Sequence, residues 1–232
     1  MPALLDYIIK IATIVPSVLL HAIIILALGL LFGIPVALVF RAHVPVLSQL
    51  LRLYTSFFRG TPILVQLLFW YYLLPQWSSA MLNTVGFHVS KNSVNATIVL
   101  IFTFVLVYTA YLQETVQASL ASIDPNQLEL ADSLGYTRWQ KAIHVIIPQA
   151  VVYALPNLFN MFMNVLKALS MGFTIAVIDI FAQAKLIAGL NGDYMTSYTA
   201  AALVYWALCG VLFIIMNLYL RRHDAVLTGT RL

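Results

Sequence analysis

The sequence predicts an all-α integral membrane protein of about five transmembrane helices, with one water-compatible helix pair between the third and fourth spans. Three observations predict it. Of 232 residues, 62% are apolar and only 9% charged, against norms of about 45 to 50% and about 25% for soluble domains. Five long stretches lack Asp, Glu, Lys and Arg altogether: residues 11 to 40, 60 to 90, 92 to 113, 142 to 166 and 194 to 220. Acidic and basic side chains gather instead around residues 117 to 148, where helix start and stop signals recur.

A span needs about 20 apolar residues to cross about 30 Å of hydrocarbon, and trimming each stretch at its polar clusters leaves spans at 17 to 40, 56 to 75, 94 to 116, 149 to 169 and 197 to 220. The first is too long for a cleaved signal peptide, and Asp6 and Lys10 make no basic leader. Within it Gly29 and Gly33 form a G-x-x-x-G pair that lets another helix approach closely, and Pro35 kinks the following turn. The second ends at the polar run Gln76-Trp77-Ser78-Ser79, ahead of Asn83-Thr84. After the fourth, Ala168 to Ile178 is too short to span and reads as a re-entrant or external gating segment. Lys185, Asn191-Gly192 and Asp193 read as an exposed loop, where a solute receptor could dock.

Basic residues of short loops stay in the cytoplasm. With the amino terminus outside, Arg41, Arg52, Arg138, Lys141, Arg221, Arg222 and Arg231 are cytoplasmic and Lys10, Lys91 and Lys185 external, which favours that orientation. Arg59 and Lys167 lie near span ends, where they can snorkel.

Between spans three and four, Asp124-Pro125-Asn126 is a helix start, with a capping residue and Pro at the first helical position. Leu128, Ala131, Leu134 and Gly135 share one face, Glu129 and Asp132 the other. Gly135 ends this helix, and Tyr136-Thr137-Arg138 turns the chain into a second that runs to Pro148. On pattern alone the pair is a docking element, a plain loop or a helix lying on lipid.

Glu129-Leu130-Ala131-Asp132-Ser133-Leu134-Gly135, with Val145-Ile146-Ile147-Pro148 nine residues on, resembles the EAA loop of permease subunits of ABC importers, E-A-A-x3-G-x9-I-x-L-P. The resemblance covers nearly the whole chain and narrows to polar amino-acid permeases. Phe57-Phe58-Arg59-Gly60-Thr61-Pro62-Ile63-Leu64-Val65-Gln66 is similar to their F-F-R-G-T-P-L-L-V-Q signature. Ala110-Tyr111-Leu112 with Glu114, Ile147-Pro148-Gln149-Ala150, and Val177-Ile178-Asp179-Ile180 with Gln183-Ala184 are similar to their A-Y-x-x-E, L-P-Q-A and V-P-E-L with R-Q-A elements.

The resemblance implies a single transmembrane domain over 1 to 232 of a bacterial cell-membrane importer. Glu129, Leu130, Ala131, Leu134, Gly135 and Pro148 would then couple it to a partner ATPase dimer. It implies too a second permease subunit, identical or homologous, and an extracytoplasmic amino-acid-binding protein. Where the family carries K-D-T-S-L, this chain has Lys167-Ala168-Leu169-Ser170-Met171, and Gln117 replaces a common basic residue. Loss of the acid argues against Lys or Arg as cargo and leaves neutral or sulphur-containing amino acids such as cystine.

A zwitterion crossing a membrane needs polar partners. The candidates are Thr61, Gln66, Glu114, Asn157, Asn160, Asn164 and Ser170. The three asparagines recur at i, i+3 and i+7 as one stripe, which serves either substrate or hydrogen bonds between helices; Glu114 serves either the pathway or a basic neighbour. Trp70-Tyr71-Tyr72, Trp77, Tyr205-Trp206 and Tyr219 suit headgroup belts. The single Cys209 makes no internal disulfide, and no metal spacing, catalytic motif or clustered basic surface for nucleic acid is present. Without a G-x4-G-K-[ST] loop the chain carries no P-loop ATP site, so it is expected to be a transport subunit without cofactor, ATP being bound by the partner. The competing class, an ion-coupled secondary transporter, would show inverted repeats, and none is found.

Overall fold

The computed structural model describes residues 2–84 and 94–227. Lys91 and Arg231, used above for orientation, lie outside the described residues. The elements in chain order are α1 (Pro2–Ala12), α2 (Val15–Arg41), α3 (Pro45–Gly60), α4 (Ile63–Thr84), α5 (Ala96–Ala121), α6 (Pro125–Ser133), α7 (Arg138–Lys141), a π segment (Ala142–Ile146), α8 (Ile147–Ala168), a 3₁₀ segment (Leu169–Ile175), α9 (Ile180–Asn191) and α10 (Tyr194–Leu227). No strand occurs among the described residues. Four stretches are long and apolar enough to cross a membrane, and the bent pair α3 and α4 brings the number to as many as five.

The most buried helix is α5, with Leu100, Phe104 and Leu112 wholly enclosed. Helix α2 lies along it because Gly29 and Gly33 remove the side chains that would hold the two apart. A Cβ on Gly33 would stand 3.2 Å from the Gln113 amide nitrogen, and one on Gly29 2.8 Å from Leu112 Cδ1. Thr109 donates to the Gly29 carbonyl across the same seam, at 3.4 Å. Helix α8 packs on another side of α5, where Asn157 Nδ2 donates to Thr115 Oγ1 at 2.7 Å. Helices α9, α10 and α1 form a second packed group.

Three expectations are corrected. The second span is not one helix over 56 to 75: α3 ends at Gly60 and α4 starts at Ile63, bent by 109°. Pro62 lacks an amide and biases Thr61 towards extended backbone, here φ −106° and ψ 136°, which ends a helix whatever the hydropathy. Helix α4 then runs on to Thr84, because Ser78 and Ser79 donate to the Pro75 and Gln76 carbonyls within the helix.

The second helix of the pair between the third and fourth spans does not stop at Pro148. It passes through the π segment into α8 and the 3₁₀ turn, one rod from Arg138 to Ile175. A π turn holds one extra residue, and it falls where Pro148 withholds its amide, so the proline is absorbed in the wider turn. Finally, Lys185 and Asn191 are not loop residues but belong to α9. Asp179 caps that helix, accepting from the Ala182 amide at 2.8 Å and the Phe181 amide at 3.2 Å, and Gly192 closes it at φ +70°.

Candidate functional site

At the end of α3 the helix leaves carbonyls without intrahelical donors, and in lipid each orphan is costly. Two side chains repair part of this. Thr61 donates its hydroxyl to the Phe57 carbonyl at 2.8 Å, and the same oxygen accepts from the Thr61 amide at 3.1 Å. Gln66, only 2% exposed, sends its amide nitrogen back to the Phe58 carbonyl at 3.0 Å and the Thr61 carbonyl at 2.9 Å. One glutamine thus bridges the two ends of the bend.

The bend opens on a cavity of about 420 Å³. Its wall is Phe58 to Ile63 from the break, Tyr108 and Tyr111 from α5, and Met161, Asn164 and Ala168 from α8. Arg59 is the single charged lining residue. It donates to Glu114 on α5 and lies over the Tyr111 ring, 5.2 Å from its centroid. A larger apolar crevice of about 750 Å³ runs between α2, α3 and α5. The hydroxyls of Tyr54 and Thr109 on its wall are bonded to the Leu106 and Gly29 carbonyls, so it offers a zwitterion nothing.

The sequence candidates therefore divide. Thr61 and Asn164 line the cavity, and Glu114 reaches it through Arg59. Gln66 stands behind the break as its clasp. Asn157 is bonded to Thr115, Asn160 lies on the exposed face of α8, and Ser170 donates to the Lys167 carbonyl in the 3₁₀ turn. Arg59 and Tyr111 were not among the candidates, Arg59 having been read as a snorkelling end residue. A basic residue beside Gly-Thr-Pro, with one acid available in the next span, was the signal for the pair.

Below the spans, Asp124 caps α6 by accepting from the Asn126 amide at 2.9 Å. Gly135 takes φ +76°, which lets the Tyr136 amide reach back to the Ala131 carbonyl at 3.0 Å. Thr137 and Gln140 cap α7 reciprocally. Lys141 bonds Asp132 at 2.6 Å, and Gln149 of α8 donates to Gln127 of α6 at 2.6 Å. Helix α6 is thereby fixed to the start of the rod that carries Met161, Asn164 and Ala168. Only Ala131 of α6 is buried, whereas Leu130, Leu134 and Trp139 are 60%, 66% and 73% exposed. Three large apolar side chains thus stand free beside Glu129 and Arg138. Pro148, at the start of α8, lies inside the rod.

The sequence pattern of the family described as "Binding-protein-dependent transport system inner membrane component" matches residues 25–224. The probable amino-acid permease protein YxeN of Bacillus subtilis is 38% identical over 206 residues, 89% of this chain and 88% of that one. The L-cystine transport system permease protein TcyL of the same organism is 34% identical over 193 residues, 82% and 78% of the two chains. Among solved structures, an amino acid ABC transporter crystallised with histidines aligns with a TM-score of 0.78 at 27% identity, covering 95% of this chain and 97% of that one. A bent, Gln-clasped span over a cavity with one charged side chain, in a multi-pass helical chain with these relatives, has one classification: the chain belongs to the inner-membrane components of binding-protein-dependent transport systems, as an amino-acid ABC transporter permease, a transport subunit and not an enzyme.

Proposed function

We propose that the chain forms half of the translocation pathway of an ATP-driven bacterial importer for neutral or sulphur-containing amino acids, cystine being the preferred example. Supporting this is one observation above all: a single helical rod, Arg138 to Ile175, carries the exposed helix pair at one end and three residues of the cavity wall at the other. From Arg138 to Asn164 an α-helix rises about 39 Å at 1.5 Å per residue. A displacement of α6 and α7 at that end is felt at the cavity without passing through a loop.

In this reading Leu130, Leu134 and Trp139 seat in a cleft of the ATPase, with Glu129 at the rim, Ala131 packed inward and Gly135 setting the turn. Closure of two ATPases on ATP tilts the rod and alternates the access of the cavity. A second permease subunit, identical or homologous, completes the pathway opposite the exposed Asn157 and Asn160. The binding protein delivers from outside, where the amino terminus lies, and the carboxyl terminus is cytoplasmic. Residues 1 to 232 act as one domain in this assembly. The cargo preference is supported by the wall itself: Arg59 is its single charge and position 168 is alanine, so no carboxylate faces a cationic side chain.

Reconstitution tests the reading. The chain, with its ATPase, partner permease and binding protein in proteoliposomes, should accumulate labelled L-cystine only with ATP inside the compartment of the ATPases. Uptake driven by a proton or sodium gradient without ATP would overturn it.

A further inference from the structure

Helix α3 shows two exposed faces of opposite chemistry. Val46, Leu50, Leu53 and Phe57 form one, each more than half exposed. Gln49, Arg52, Ser56 and Arg59, at i, i+3, i+7 and i+10, form the other and are exposed as well. Ser48 and Phe58 turn the third side to the core. Arg59 has Glu114, but among the described residues Arg52 has no acidic partner.

Two hydrogen bonds set the depth of these faces. Arg41, at the end of α2, donates to the Leu120 carbonyl in the last turn of α5 at 3.4 Å. The Tyr54 hydroxyl of α3 donates to the Leu106 carbonyl. Leu106 and Leu120 are about 21 Å apart along α5 at 1.5 Å per residue, so α3 climbs beside α5 instead of lying across its end. The 26 residues of α5 overshoot about 30 Å of hydrocarbon by about 9 Å. Arg52, two residues before Tyr54, therefore stands well inside the hydrocarbon depth, although hydropathy placed it ahead of the second span.

At that depth a guanidinium facing lipid is costly even when it snorkels. The apolar face of α3 meets the lipid, and the polar face needs water. In an importer, the water at that depth is the translocation pathway. Resting on the reading that the chain forms half of such a pathway, we propose that Gln49, Arg52 and Ser56 line the part of it nearer α6, and that Arg52 is a charge barrier against cations. The membrane potential pulls cations inward, and a positive side chain on the wall opposes their passage through a pathway that opens. A zwitterionic cargo carries no net charge and passes. About 10 Å of helix separates Arg52 from Arg59, so the barrier is a feature apart from the cavity at the bend.

The experiment is thiol labelling of the assembled permease and ATPase complex in nanodiscs, read by mass spectrometry of this chain in a Cys209→Ser background. The probes are two methanethiosulfonates of similar size, one bearing a sulfonate and one a trimethylammonium. Ser56→Cys should be labelled by both, and Leu53→Cys, on the lipid face, by neither. At Ser56→Cys the sulfonate should react faster, relative to its rate with a free thiol, and adding Arg52→Gln should cut that preference about fivefold or more. A change in the thiol's own ionisation alters both rates alike and leaves their ratio unmoved. Arg52→Lys should keep the preference. In proteoliposomes turning over ATP, Arg52→Glu should pass potassium down its gradient about fivefold faster than wild type, or more.

Ser56→Cys resisting both probes, or Leu53→Cys reacting as readily, would overturn the assignment of this face to the pathway. A preference unmoved by Arg52→Gln, or a potassium leak unmoved by Arg52→Glu, would overturn the barrier. Either result, in a complex that accumulates amino acids with ATP, leaves the importer reading intact. An assembly that takes up no amino acid overturns the importer reading, and the pathway role of Arg52 with it.

Discussion

Replacing Asp179 tests whether α9 is held to α10 by one side chain. The carboxylate is 3% exposed and accepts three bonds, from the Phe181 and Ala182 amides and from the Tyr205 hydroxyl at 2.9 Å. Asp179→Ala removes a helix cap, about 1 kcal/mol. It also leaves a buried hydroxyl with no acceptor, about 1 to 3 kcal/mol. The expected loss is about 2 to 4 kcal/mol, or roughly 5 to 15 °C in Tm for a chain of this size. Asp179→Asn keeps an acceptor for the cap and for Tyr205 and should lose about 1 kcal/mol or less. The assay is thermal unfolding of the purified complex, with hydrogen exchange at the first-turn amides of α9 as the local readout. An Asp179→Ala protein melting within about 2 °C of wild type, or together with Asp179→Asn, would refute the latch. The pH dependence follows the same group. Burial pushes its carboxyl above the ordinary 3.8, against the lowering pull of the Ala182, Tyr205 and Phe181 donors. The folded chain therefore holds this proton more tightly than the unfolded one. Its contribution is fullest below 3.8 and is lost as pH rises through the raised value, so wild type should gain on Asp179→Asn as the pH falls towards 4.

Three further predictions use the same geometry. Ala168→Asp puts a carboxylate on the cavity wall and should improve competition by L-lysine or L-arginine about tenfold or more, measured against labelled L-cystine; unchanged preference would remove position 168 from the specificity wall. Gly33→Ala should destabilise the α2 and α5 seam by about 1 to 3 kcal/mol, more than Gly29→Ala. Its neighbour at 3.2 Å is backbone, while that of Gly29 at 2.8 Å is the end of a leucine that can rotate; thermal melts of the two variants decide it. Leu130→Asp with Leu134→Asp changes exposed side chains only, so the Tm should hold while ATPase co-purification falls about tenfold or more. An undiminished pull-down would show that this face docks nothing.

The spans were legible because hydropathy is a sum over twenty residues, and a sum survives local error. Gly29 and Gly33 were legible for a related reason: the missing Cβ is a property of the residue itself. The end of α6 was equally readable, since Gly135 is the residue that takes φ +76° without strain. The bend at Thr61 was not, although its residues were in plain view. Apolar windows pass smoothly through Pro62, and only the backbone rule for the residue before proline marks the turn.

Arg59 shows why the site was half read. A lone base near a span end has an ordinary explanation in snorkelling, and sequence spacing cannot say that Glu114, 55 residues away, stands beside it. The asparagine stripe failed in the opposite sense. Its period correctly put Asn157, Asn160 and Asn164 on one face, but that face runs from Thr115 to the cavity, so only its last member lines it. Periodicity assigns a side of a helix; what stands opposite each turn depends on where its neighbours bend. Here the neighbour bends at Thr61, so the stripe meets the cavity only at Asn164, a meeting that the spacing along α8 cannot announce.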